Sequence, residues 1–179
     1  MKVCVCILII WVFNALQTHA QKISFTEKRS SFYNYVKGDE FEGLVFSEDF
    51  VFPFLSNQSG DKRFTPSIID IEKAERLLVK NIKSVTIKQS KQGKDVGPII
   101  HENLKKFARQ YYGYYTEEGD KVIYISCLIK DDYPHIDKQI PNWLKGAVVV
   151  LNGGSNYWQV QANLNNSTLF GLEINSLDR

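Results

Sequence analysis

Hydrophobic and polar residues alternate in the last part of the chain, and this alternation predicts an antiparallel sheet. Between residues 157 and 164 every second position is apolar, and the same period returns at residues 170–174 after a polar turn. A period of two is typical of a strand with one buried face. Residues 110–115 and 121–129 flank a glycine-containing loop and predict a hairpin. The uninterrupted apolar run at residues 147–151 predicts a central strand.

A period of 3.6 residues predicts a helix before these strands. Thr65 fits an N-cap, and Pro66 fits the first helical position. Phe64 and Ile69 have the spacing of a hydrophobic staple. The helix is predicted to end near Asn81. Its buried side is predicted to hold Ile68, Ile71, Ala74 and Leu78, and its solvent side Glu72, Lys73, Glu75 and Arg76.

A second, shorter helix is predicted from Pro98, after a polar link at residues 84–97. Ile100, Leu104 and Phe107 follow at positions i, i+4 and i+7, the spacing of one helical face. Helices grouped before an antiparallel sheet indicate an α+β fold. We therefore expect two helices packed on one face of a roughly five-stranded antiparallel meander sheet.

The segment at residues 21–62 is rich in aromatic residues, which disordered segments lack. It predicts an N-terminal extension that lays its aromatic rings on a single α+β domain formed by residues 63–179. Within the extension, residues 44–46 and 50–52 predict two short strands.

The first twenty residues have the pattern of a secretory signal peptide. Met1 and Lys2 precede an unbroken apolar run at residues 3–13, and Thr18 and Ala20 fit a small-residue cleavage site. The run is too short to cross a membrane, which takes about 20 residues, and no later segment reaches that length. We expect an exported protein, periplasmic or extracellular, that is soluble after cleavage and has no stable membrane span.

Charge and cysteine content argue against a nucleic-acid-binding protein and against a disulfide-stabilised one. The chain has 22 basic and 20 acidic residues, a balance that argues against nucleic acid as a partner. Cys4 and Cys6 would leave with the signal peptide, so Cys127 would be alone and no intramolecular disulfide could form. Cys127 lies in a strand-like run, where it predicts a small buried apolar residue; a nucleophile would need a nearby base and an open setting.

Three segments together resemble a group of small exported bacterial proteins of unknown function. They are the Phe64-Thr65-Pro66-Ser67 entry to the first helix, the tyrosine-rich segment 109–114, and the segment 149–158 that leads into the last hairpin. The last hairpin also resembles PepSY-type and cystatin-like modules. Cystatin-type inhibitors carry a Gln-x-Val-x-Gly loop in the first hairpin, and this chain has Glu117-Glu118-Gly119-Asp120 there, which departs from that pattern.

One loop concentrates residues that can bind a metal or a ligand. Asp131, Asp132, His135 and Asp137 lie in the connection between two predicted strands. Carboxylates and imidazole are metal ligands, but the spacing matches no established pattern, so we predict neither a metal nor a cofactor. A plain polar loop, a ligand-binding loop and a metal loop remain the alternatives.

Aromatic residues form the second candidate binding site. Tyr112 and Tyr114 share one face of the predicted strand at residues 110–115, and Trp143 lies in a later connection. An exposed tyrosine row favours protein or glycan contacts. Alternatively, the helices or the N-terminal extension cover these rings.

These observations favour a non-enzymatic secreted binding or accessory module for a protein or glycan. The pattern of the sheet and the abundance of tyrosine support it, and no established catalytic motif opposes it. One alternative is a hydrolase or metal-dependent enzyme that uses the 131–137 loop. The other is a structural or assembly subunit of the envelope, which would form a stable oligomer.

Overall fold

The computed structural model describes residues 24–28, 30–52, 62–88, 97–130 and 142–176. These residues form an α+β fold with one long helix and eight strands. The strands are β1 (Ser24–Lys28), β2 (Tyr33–Lys37), β3 (Glu42–Phe46), β4 (Arg63–Phe64), β5 (Phe107–Tyr115), β6 (Lys121–Ile129), β7 (Tyr157–Asn163) and β8 (Thr168–Ile174). The helix is α1 (Ile68–Lys88).

All eight strands belong to one sheet, in the order β1-β2-β3-β5-β6-β7-β8, with the two-residue β4 beside β5. The pairs β5–β6, β6–β7 and β7–β8 are antiparallel, which confirms the predicted meander. β3 and β5 run parallel, because the chain crosses the sheet through α1 between them. The prediction of a separate N-terminal extension missed this pairing, by which residues before 47 enlarge the same sheet.

Helix α1 begins two residues later than predicted. Ser67 and Asp70 form a reciprocal capping box: the amide of Asp70 donates to Ser67 Oγ (3.2 Å), and the amide of Ser67 donates to Asp70 Oδ2 (3.0 Å). Thr65 instead accepts a hydrogen bond from the amide of Glu48 (3.1 Å). Ile69 is 72% exposed, so the predicted staple with Phe64 is wrong.

Helix α1 also ends seven residues later than predicted. Ile82 and Thr86 are buried, and Val85 packs against the same apolar core, so the buried face continues past Asn81. Residues 84–88, predicted as a polar link, are therefore helical. Among the described helices, none is both long and apolar enough to cross a membrane.

The predicted second helix is wrong. In its place lie two short 3₁₀ turns, Ile100–Glu102 and Leu104–Lys106, and Phe107 already belongs to β5. Asn103 separates the turns with a non-helical backbone, φ −125° and ψ 23°. Its side-chain amide donates to the carbonyl oxygen of Ile99 (2.9 Å), a local bond that competes with helix formation.

The apolar run at residues 147–151 is not the central strand that was predicted. It crosses over the sheet without joining it, and its members range from half-buried Val148 to Leu151, which is 73% exposed. The predicted strand at residues 50–52 is also absent from the described sheet, although Phe52 is buried against it. A run of apolar residues therefore does not by itself distinguish a strand of the sheet from a segment that packs over the sheet.

A bulge in β8 moves one predicted core residue to the opposite face. Gln159 pairs with Glu173 and Gln161 with Phe170, so Gly171 and Leu172 together face a single position of β7. Gly171 has φ +59°, which glycine adopts without strain. Leu172 is buried as predicted, whereas Phe170 is 39% exposed.

Both faces of the sheet are covered in its centre. Helix α1 packs on one face, where Tyr111, Ile125, Trp158 and Val160 are fully or almost fully buried. The other face carries a second cluster with Tyr112 at its centre, covered by side chains from residues 46–52 and 143–148. These two layers decide which of the predicted site residues a ligand can reach.

Candidate functional site

The predicted binding residues divide into two groups. Asp131, Asp132, His135 and Asp137 lie outside the described residues. Tyr112, Tyr114 and Trp143 are described, and their exposed fractions are only 4%, 3% and 4%. Of the two alternatives left open for the tyrosine row, coverage is the one observed.

Aromatic side chains from the N-terminal segment cover Tyr112. Its ring stacks on Phe46, with centroids 4.6 Å apart, and on Phe52, with centroids 4.1 Å apart. Its hydroxyl donates to Gln110 Oε1 (3.2 Å), and burial raises its pKa well above the ordinary value. Tyr112 therefore holds β3 and β5 together as a neutral core residue.

Trp143 and Tyr114 are also held within the protein. Trp143 closes a small cluster with Ala108 and Leu128, and its ring centroid lies 6.5 Å from that of Tyr35. The hydroxyl of Tyr114 donates to the side chain of Gln161 on β7. Neither ring is presented to a partner.

A cleft on the helix side of the sheet is the best candidate site. It lies between α1, the two 3₁₀ turns and the residues before β3, and its volume is about 670 Å³. Binding pockets for small molecules range from about 300 to 1,000 Å³. We call this space the α1 cleft; it is lined by Glu40, Glu75, Arg76, Val79, Lys80, His101, Glu102, Asn103, Leu104, Lys105, Lys106 and Arg109.

Buried charged residues form the floor of the α1 cleft. Arg109 is 1% exposed and Glu75 is 3% exposed, and Arg109 Nε lies 3.4 Å from Glu75 Oε1, an ion pair without hydrogen-bond alignment. The hydroxyl of Tyr111 donates to the same oxygen (2.8 Å). The pKa of Tyr111 is raised well above its ordinary value, by burial and by the adjacent Glu75, so the hydroxyl keeps its proton.

The main chain holds Arg109 in place. Its guanidinium donates to the carbonyl oxygens of Phe107 (2.8 Å) and Leu104 (3.0 Å). Because β5 alternates its side chains, Arg109 faces the helix together with Phe107 and Tyr111. The prediction that Glu75 faces solvent is therefore wrong: it points inward and meets this guanidinium.

Ion pairs neutralise part of the charge at the mouth of the cleft. Lys105 pairs with Glu40. Arg76 pairs with Glu72 one helical turn before it. Within the described part of the chain, Lys80 lines the cleft with no acidic partner.

His101 sits at one side of the cleft, apart from Cys127. His101 Nδ1 lies 3.2 Å from Thr86 Oγ1, and its Nε2 lies 3.9 Å from a carboxylate oxygen of Glu102. Cys127 is a free thiol that is 1% exposed, as predicted for a small buried residue. Burial raises its pKa to about 12. The described residues contain no group of three or more His, Cys, Asp or Glu side chains placed to hold a metal ion.

Fold and cleft together define an α+β protein with a ligand-sized site beside its main helix. The chain matches no protein-family model, and no curated protein or solved structure is significantly similar to it.

Proposed function

We propose that this protein is an exported, non-enzymatic binding module and that the α1 cleft is its binding site. One observation carries the proposal: a cleft of about 670 Å³ ends on a buried carboxylate and a buried guanidinium. Largely apolar walls with a few fixed polar groups are typical of ligand sites. The proposed site is separate from the tyrosine row, whose rings are covered.

The floor of the cleft supports binding because its polar groups are fixed before a ligand arrives. Arg109 is held by two carbonyl oxygens, and Glu75 is held by Tyr111 and Arg109. Groups that need no reordering lose little entropy when a ligand binds. The described residues that line the cleft include no phenol, phenyl or indole ring on which a sugar could stack. The cleft therefore favours a small molecule or a projecting side chain over a sugar.

The surroundings of Cys127 and His101 support binding rather than nucleophilic catalysis. A thiol with a pKa near 12 stays protonated at neutral pH, and Cys127 is not among the residues that line the cleft. A nucleophile and its base need to lie about 2.6–3.2 Å apart. The only described contact of His101 at that distance is with Thr86, which is buried behind it.

Binding of Nile red, a neutral fluorescent dye, tests the proposal. Val79 is 61% exposed and lines the cleft, so Val79→Trp should fill part of the space and weaken dye binding. Ile69→Trp is the matched control, because Ile69 is an exposed residue of the same helix outside the cleft. Equal binding by both variants would refute the cleft as the site.

Export is tested separately, by the intact mass of the protein recovered from its native cells. Removal of residues 1–20 should leave Gln21 as the first residue. Recovery of the protein with Met1 or Lys2 still present would refute the export part of the proposal.

A further inference from the structure

The basic residues of the α1 cleft outnumber the acidic ones. Five basic and three acidic side chains line it. Glu40 is paired with Lys105, Glu75 with Arg109, and the exposed carboxylate of Glu102 lies 3.9 Å from His101 Nε2. Within the described residues Lys80 and Lys106 have neither an ion pair nor a side-chain hydrogen bond, so two ammonium groups remain for an incoming negative charge.

The floor of the cleft, in contrast, offers a hydrogen-bond acceptor to a ligand. Both contacts of the Glu75 side chain, with Tyr111 and with Arg109, use Oε1. Oε2 takes part in neither contact, and Glu75 is one of the residues that line the cleft. A carboxylate oxygen can only accept, and this one therefore calls for a hydroxyl or N–H group on the ligand.

Aliphatic groups also line the cleft. Val79 and Leu104 contribute to this surface, together with the methylene stems of the lysines. The exposure of Val79, 61% on an otherwise well-packed helix, leaves apolar surface that a ligand can cover.

From this arrangement we infer that the ligand is a small amphipathic anion. Its acidic group binds Lys80 and Lys106 at the mouth, its aliphatic body covers Val79, and a hydroxyl or N–H at the far end donates to Glu75. This inference rests on the proposed binding function and adds the chemical class of the ligand to it.

Four probes of equal chain length separate the contributions in isothermal titration calorimetry. They are ω-hydroxyoctanoate, octanoate, octanol and octylammonium. The hydroxy acid should bind most tightly, octanoate several-fold more weakly, and octanol and octylammonium about tenfold more weakly than octanoate.

Charge reversal at the mouth provides the matched test. Lys80→Glu combined with Lys106→Glu should weaken octanoate binding about tenfold or more and leave octanol binding unchanged. Lys83→Glu is the control, because Lys83 is exposed on the same helix but does not line the cleft. All three substitutions are at exposed positions, so folding should be retained; a thermal unfolding curve for each variant checks this.

The outcomes separate the inference from the proposed function. Equal affinities for octanoate and octanol, or unchanged octanoate binding in the double variant, would overturn the inference while the cleft remains a binding site. Tighter binding of octylammonium would overturn it as well. Failure of all four probes together with Nile red would overturn both.

Discussion

Arg109→Met tests how much the buried ion pair at the floor of the cleft contributes to stability. Arg109 is 1% exposed and Glu75 is 3% exposed, so the substitution leaves a buried carboxylate whose remaining described contact is the hydroxyl of Tyr111. Methionine matches the arginine stem in size and creates little cavity. The effect therefore reports on charge and hydrogen bonds rather than on packing.

The expected loss is large. Removing one partner of a buried ion pair typically costs about 3–5 kcal/mol of unfolding free energy. The carbonyl oxygens of Phe107 and Leu104 also lose their donor. The matched control is Arg76→Met, at a residue whose side chain is 58% exposed and paired with Glu72. An exposed pair of that kind contributes at most about 1 kcal/mol.

The comparison of the two variants gives the decisive result. Urea unfolding followed by tryptophan fluorescence, which the buried Trp158 should report, measures the free energy of unfolding of each variant. A loss in Arg109→Met as small as that in Arg76→Met would refute the reasoning.

Three further predictions concern other parts of the fold. Burial raises the pKa of Cys127 to about 12, so iodoacetamide should leave the folded protein unmodified at about pH 8 and modify it completely in urea. Mass spectrometry measures the modification. Rapid modification of the folded protein would contradict the buried position of Cys127. Burial alone would raise the pKa of Asp70, but hydrogen bonds from Ser67 and Lys121 outweigh burial and hold that pKa below its ordinary value. Asp70→Asn should therefore cost about 1 kcal/mol at neutral pH and progressively less as the pH falls through that lowered pKa, and a difference in urea unfolding that persists in acid would contradict this. Gly43→Ala should cost about 1–3 kcal/mol, because the added Cβ would lie 2.1 Å from a main-chain oxygen of β5; an unchanged thermal unfolding midpoint would show that the strands can separate without penalty.

The sequence was sufficient for the parts of the fold that rest on local periodicity. The hairpin of β5 and β6 and the alternation along β7 follow from spacing alone, and both are confirmed. The parallel pairing of β3 with β5 was missed, because it joins segments far apart in sequence and leaves no periodic trace. The bulge at Gly171 was missed because a single inserted residue reverses the face of Phe170 without changing the apparent alternation.

The floor of the cleft had a sequence signal that was read in the wrong sense. Ile71, Glu75 and Leu78 are spaced i, i+4 and i+7, so Glu75 belongs to the buried stripe of α1. Arg109 alternates with Phe107 and Tyr111 and belongs to the same side of the sheet. Opposite charges on two faces that must meet predict a buried ion pair, whereas charge alone suggested a solvent position for Glu75. The mouth of the cleft, in contrast, depends on the 3₁₀ turns and could not be predicted from spacing.

The parallel pairing between β3 and β5 also sets an order of events during synthesis. The first three strands leave the ribosome well before β5, and until then the outer edge of β3 has unpaired amide and carbonyl groups. Such an edge can recruit strands of other chains. A chain in which β5 has not yet formed would present this edge and could pair with other chains through it.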